Sequence, residues 1–162
     1  MKLTPLSKAF GAEITGVDLS SLGDSLFEDI YAALLDFGVL RFRAQALTKE
    51  GLQNFSQRFG PLEEIPLGQL SEGQRAKIEN RYVTKISNIL VDGKPIGGLG
   101  DSEASWHSDM TYVERPPPAS VLLGVEIPPV GGDTFFADQR EALALLPDSL
   151  RARIATLTIK HD

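Results

Sequence analysis

His107-Ser108-Asp109 sets an imidazole and a carboxylate two residues apart. Side chains on an extended segment alternate between faces, so both groups project to one side and can reach a common metal ion. A neutral imidazole nitrogen and a carboxylate oxygen are two of the three ligands in the 2-His-1-carboxylate arrangement. That arrangement leaves open positions on a non-haem Fe(II) for substrate and oxygen. The same triplet also fits a surface histidine hydrogen-bonded to a neighbouring carboxylate, and chance alone supplies an aspartate at this spacing in roughly one case in fifteen. The flanks favour a presented site. Gly98-Leu99-Gly100 leads in, Trp106 immediately precedes the histidine, and Arg115-Pro116-Pro117-Pro118 stops the run, so one short strand should end in a rigid loop.

The rest of the composition limits which chemistry is available. The 162 residues contain no cysteine, which excludes disulfides, thiolate zinc sites and Fe–S clusters and leaves His and carboxylate ligands suited to iron or manganese. A hydrophobic content of 42% is enough for a core, and the length is that of one domain. The net charge of -6 and a pI near 4.9 oppose nucleic acid and anionic membrane as partners. No apolar run is long enough to span a bilayer, and Met1-Lys2-Leu3-Thr4-Pro5 lacks the apolar stretch of a signal peptide, so a cytoplasmic location is expected.

The elements that must position the pair can be read from periodicity. Ala12 to Leu19 alternates polar and apolar residues, as a strand with one buried face does. Ser25 and Glu28 form a capping-box pattern for a helix that repeats Phe27, Ile30, Leu34 and Phe37 at helical spacing and stops at Gly38. Val39 to Phe42 reads as a short strand, and Thr48 opens a second helix through Leu52, Phe55 and Phe59 that ends at Gly60-Pro61. Residues 63 to 80 read as a long loop with one helical turn. Arg81 to Val91 has strand character, and Asp92-Gly93-Lys94-Pro95 makes a turn. Ala119 to Ile127 is a strongly apolar strand pattern, Pro128 to Gly132 a tight turn, and Asp133 to Ala137 a second alternating segment. Asp138 with Glu141 repeats the capping pattern, and Pro147 opens a further helix to about Leu157. Several strands with segregated helices predict an α+β domain whose β part is half of a barrel or jelly roll.

Three blocks of the chain resemble the N-terminal part of TauD/TfdA-type Fe(II)- and 2-oxoglutarate-dependent dioxygenases. Phe10-Gly11-Ala12-Glu13-Ile14 with Gly16-Val17-Asp18-Leu19 is similar to the start of that family. Trp106-His107-Ser108-Asp109 is similar to its WHxD metal motif, and Pro128-Pro129-Val130-Gly131-Gly132-Asp133-Thr134 to its PPxGGDT turn and strand. The resemblance implies a double-stranded β-helix (jelly-roll) fold with flanking helices, of which residues 1 to 162 form the N-terminal portion of one domain.

It also implies that His107 and Asp109 bind Fe(II), that Thr134 donates its hydroxyl to the far carboxylate of the cosubstrate 2-oxoglutarate, and that Glu103 faces the primary substrate. The implied reaction uses O2 to convert 2-oxoglutarate to succinate and carbon dioxide while a small organic, anionic substrate is hydroxylated at an unactivated C–H bond. The second iron-binding histidine and the arginine that pairs with 2-oxoglutarate are placed by the resemblance beyond Asp162. His161, the other histidine, matches an ordinary family position at the end of a strand. No histidine precedes His107, whereas members that oxidise taurine place one near the sulfonate, which points to another substrate. The alternative function is a non-catalytic binding module derived from this family. A two-ligand hydrolytic site leaves too few protein ligands for a firmly held metal. A jelly roll cut midway exposes strand edges and apolar faces, so homo-oligomeric association is expected.

Overall fold

The computed structural model of the protein describes residues 1–8, 10–64, 72–75, 80–99 and 105–160. These fall into two compact units, one formed by Met1–Thr48 with the segment from Leu122 onward and the other by Lys49–Val121.

The first unit is built on a three-stranded sheet of β1 (Lys2–Pro5), β2 (Ala12–Thr15) and β3 (Leu40–Phe42) in the order β1-β2-β3. β1 and β2 are antiparallel, with Leu3 opposite Ile14, whereas β2 and β3 are parallel, with Ile14 opposite Phe42. A parallel neighbour requires a crossover, and helix α1 (Asp24–Phe37) supplies it. The alternation expected of β2 holds, since Ala12 and Ile14 are fully buried while Glu13 lies on the opposite face. Glu13 accepts hydrogen bonds from Arg41 Nε and Arg43 Nε, each at 2.8 Å. The Gln45 side chain ties the strand ends together: its Oε1 accepts from the Leu19 amide at 3.0 Å and its Nε2 donates to the Arg43 carbonyl at 2.9 Å.

Of the stripe predicted by its 3.6-residue period, helix α1 buries Ile30 fully and Phe27, Leu34 and Phe37 in part, and it also buries Ala33. It stops where expected, with Gly38 at φ 70 and its amide donating to the Leu34 carbonyl at 2.8 Å. Its start differs from the expected capping box. The cap position is Gly23, without a side-chain cap hydrogen bond, and the helix begins one residue before Ser25. With Ser25 already inside the first turn, its hydroxyl is not at the position from which a cap oxygen reaches the free amides.

The segment of this unit from Leu122 onward differs more. The predicted strands Ala119–Ile127 and Asp133–Ala137 take no ladder partner among the described residues, and their apolar side chains stand in solvent: Val125 is 85% exposed and Phe135 74%. An apolar run states what a segment would bury, but a strand exists only when a second backbone accepts from its amides and donates to its carbonyls. The helices that follow, α4 (Gln139–Ala144) and α5 (Asp148–Ile154), form with no fully buried residue. Here the capping reading holds, because Asp138 accepts from the amides of Arg140 at 2.8 Å and Glu141 at 3.4 Å.

The second unit opens with α2 (Lys49–Gln57), which buries Leu52 and Phe55. Phe55 meets Phe59 edge to face at 5.3 Å between ring centroids, just before the chain leaves the helix at Gly60. The expected single helical turn in the following loop is α3 (Glu72–Arg75). The strand character of Arg81 to Val91 resolves into two-residue pieces. β4 (Ile86–Ser87) pairs parallel with β7 (Gly98–Leu99), and β5 (Leu90–Val91) pairs antiparallel with β6 (Lys94–Pro95). Asp92 and Gly93 form the two-residue turn of that hairpin, both at positive φ, as its tight reversal requires.

Mixed strands and separate helices agree with the α+β class, and among the described residues the sheets contain three, two and two strands. No described helix is long and apolar enough to cross a membrane.

Candidate metal centre

His107 and Asp109 lie in a turn-rich loop of the second unit rather than on the short strand expected of them. The chain bends sharply just after the pair. Met110 takes a positive φ of 52, and the Val113 amide closes the turn on the Met110 carbonyl at 3.2 Å. Arg115 to Pro118 then run on with proline-fixed φ, and Ser120 returns beside the carboxylate. The convergence predicted from the i, i+2 spacing is nevertheless present: His107 Nε2 lies 3.2 Å from Asp109 Oδ1.

The partners on the far sides of both groups decide what that convergence means. His107 Nδ1 lies 2.7 Å from the Ser105 carbonyl. A carbonyl only accepts, so Nδ1 carries the hydrogen and Nε2 is the free lone pair of the neutral ring. Nε2 and Oδ1 then face each other across 3.2 Å, joined by a proton on Nε2 when the ring is charged and presenting two electron-pair donors to a metal when it is neutral. The Ser105 carbonyl, and after it the Asp109 carboxylate, raise the His107 pKa above its ordinary value, against a smaller opposing effect of desolvation. The other carboxylate oxygen, Asp109 Oδ2, accepts from Ser120 Oγ at 2.8 Å.

This donor set fits the iron site that the sequence implies. One nitrogen and one oxygen donor converge on a point open to solvent, each fixed from behind by a hydrogen bond, as outer-shell partners fix metal ligands. Among the described residues no group of three His, Asp or Glu side chains is placed to hold a metal ion, so the pair supplies two ligands. Trp106, beside the histidine, is 72% exposed.

Of the other residues singled out by sequence, Thr134 belongs to the first unit, where it is exposed and outside any helix or strand after the Pro128–Gly132 turn. That turn needs its glycines. Gly131 and Gly132 take φ of 78 and 70, and a Cβ on Gly132 would stand 3.2 Å from Pro128 Cγ. Glu103 and His161 lie outside the described residues. Sequence reasoning missed the Ser105 carbonyl and the Ser120 hydroxyl. The first is a backbone atom, and the second lies eleven residues from its partner across a proline-rich turn that no periodicity describes.

Residues 2–162 match the family model described as "Taurine catabolism dioxygenase TauD, TfdA family". Among curated proteins, the chain is 35% identical over 160 residues to an (S)-phenoxypropionate/alpha-ketoglutarate-dioxygenase of Sphingobium herbicidovorans, covering 99% of this chain and 53% of that protein. It is 34% identical over 160 residues to an alpha-ketoglutarate-dependent sulfate ester dioxygenase of Pseudomonas putida, covering 98% of this chain and 48% of that one. Among solved structures, a taurine dioxygenase from Burkholderia xenovorans superposes with a TM-score of 0.71 at 32% identity, covering 96% of this chain and 51% of that structure. The chain thus spans about half the length of the relatives it matches.

Proposed function

The chain belongs to the TauD, TfdA family of taurine catabolism dioxygenases, and from that premise we propose that it supplies the first two iron ligands of an Fe(II)- and 2-oxoglutarate-dependent dioxygenase. The observation that carries this reading is the 3.2 Å approach of His107 Nε2 to Asp109 Oδ1, with Ser105 and Ser120 engaging the opposite atom of each group. His107 binds through Nε2 because Nδ1 is committed to a carbonyl, and Asp109 binds through Oδ1 because Oδ2 is committed to a hydroxyl. Iron(II) held there would supply oxygen activation and chelate the 2-keto acid of the cosubstrate.

The remaining assignments complete the proposal. Thr134 donates its hydroxyl to the far carboxylate of 2-oxoglutarate, and Glu103 faces the primary substrate. The domain is a jelly roll with flanking helices, completed by residues supplied from outside these 162, and it works in the cytoplasm. The substrate is a small organic anion. Support for that class comes from the names of the relatives, which specify phenoxypropionate and a sulfate ester. The absence of any histidine before His107 favours an anion other than taurine.

The test is succinate release from 2-oxoglutarate by the natural polypeptide that carries these residues. Turnover that requires added Fe(II) and is abolished by His107→Ala and by Asp109→Ala is expected. Iron-independent turnover, or turnover that survives both substitutions, overturns the assignment.

A further inference from the structure

The proposed function takes Asp109 through Oδ1, and the hydroxyl behind it bears on how many positions of the metal that carboxylate fills. Ser120 Oγ donates to Asp109 Oδ2 at 2.8 Å across the turn of residues 110 to 119, while Oδ1 of the same carboxylate faces His107 Nε2. An exposed aspartate otherwise rotates about its last side-chain bond and presents either one oxygen or both to a cation. A hydrogen bond on Oδ2 opposes both alternatives, because it fixes the carboxylate plane and takes one lone pair and part of the charge of the oxygen that a bidentate grip would need. Both side chains are more than a third exposed, so packing against neighbours does not lock the carboxylate in their place.

Resting on the proposed metal centre, we infer that Ser120 is a positioning residue that holds Asp109 to coordination through Oδ1 alone. The consequence is chemical. Monodentate binding uses one position on the metal where bidentate binding uses two, so the serine keeps a position open for a cosubstrate. The proline run 116 to 118 acts through the same contact. With φ fixed at three successive residues, the chain reaches Ser120 along a restricted path, and the hydroxyl arrives beside Asp109 with little loop entropy left to lose.

The test uses Mn(II) with the natural polypeptide that carries these residues and two readouts. Trp106, next in sequence to His107, reports binding by quenching of the fluorescence that Trp106→Phe removes. Infrared difference spectra of protein carrying carboxyl-labelled aspartate report the carboxylate mode, because the splitting between the two stretches is wide for monodentate and narrow for bidentate binding. Asp109→Asn identifies the band. Wild type is expected to show a wide splitting. Ser120→Ala is expected to narrow it and to weaken Mn(II) by about 10-fold, the low end of the loss seen when an outer-shell partner is removed. Ser120→Thr, which keeps the hydroxyl, is expected to restore both.

A narrow splitting in wild type overturns the inference whether or not Ser120→Ala folds. So does an unchanged splitting in a folded Ser120→Ala. In both cases quenching that depends on His107 leaves the metal centre standing. Absence of quenching in wild type overturns the metal centre and this inference together.

Discussion

His107 Nε2 and Asp109 Oδ1 face each other at 3.2 Å with no hydrogen assigned to the gap by the neutral ring, since Nδ1 carries the proton that bonds the Ser105 carbonyl. When the ring is neutral, one nitrogen and one oxygen donor converge at a solvent-open point, and this arrangement connects the sequence motif to metal chemistry. Both side chains are more than half exposed, so the pair contributes binding and little to the fold. His107→Ala and Asp109→Ala are therefore expected to abolish Mn(II) quenching of Trp106 while leaving the thermal midpoint and the far-ultraviolet circular dichroism unchanged. A lowered midpoint in either variant would assign the pair a structural role.

The first unit depends on a small core in which Ile14 and Ile30 are fully buried, one on the central strand and one on the crossover helix. Truncating either leaves a void between sheet and helix that rigid secondary structure closes only in part. Ile14→Ala and Ile30→Ala are each expected to destabilise by about 2–5 kcal/mol. Urea unfolding followed by circular dichroism checks this, and a loss well under 1 kcal/mol would show that the core had been misplaced.

Glu13 makes stability depend on pH. The hydrogen bond from Arg43, together with the bond and charge of Arg41, lowers its pKa below the ordinary glutamate value against a desolvation effect of opposite sign. The unfolded chain therefore binds the proton more readily than the folded one. The contribution of Glu13 is present above the unfolded pKa and is lost as pH falls through the lower, folded one. Unfolding midpoints of wild type are expected to drop across the acid range below the ordinary glutamate pKa, and Glu13→Gln is expected to flatten that part of the curve. Parallel curves for the two proteins would remove Glu13 from the account.

Leu122, Val125, Ile127, Val130, Phe135 and Ile159 stand in solvent within one stretch of chain. Apolar surface of that extent drives association. Light scattering after size exclusion is expected to give a mass above the 17.6 kDa of one chain, increasing with concentration. A monodisperse 17.6 kDa species across the concentration range would contradict it.

The elements legible in the sequence are those set by local interactions. Helix α1 follows from Phe27, Ile30, Leu34 and Phe37 at helical spacing with Gly38 as the stop, and its end is found where that pattern predicts. The cap of α4 was legible at Asp138 for the same reason, because cap and amides lie within three residues. The approach of His107 to Asp109 was legible as an i, i+2 spacing, although a loop and not a strand delivers the convergence. What was not legible depends on residues far apart in sequence. Ala119 to Ile127 has the composition of a strand, but pairing is decided by a second backbone that composition does not identify. Ser120 could be found only once the turn at Met110 and the proline run had been traced back to Asp109.

Anaerobic titration of the natural polypeptide that carries these residues with Fe(II) and 2-oxoglutarate, read by visible absorption, tests the central claim most directly. A weak charge-transfer band that appears only with both components and is lost in His107→Ala is the result this account predicts. A band that persists in His107→Ala, or no band from the natural polypeptide that carries these residues, would contradict it.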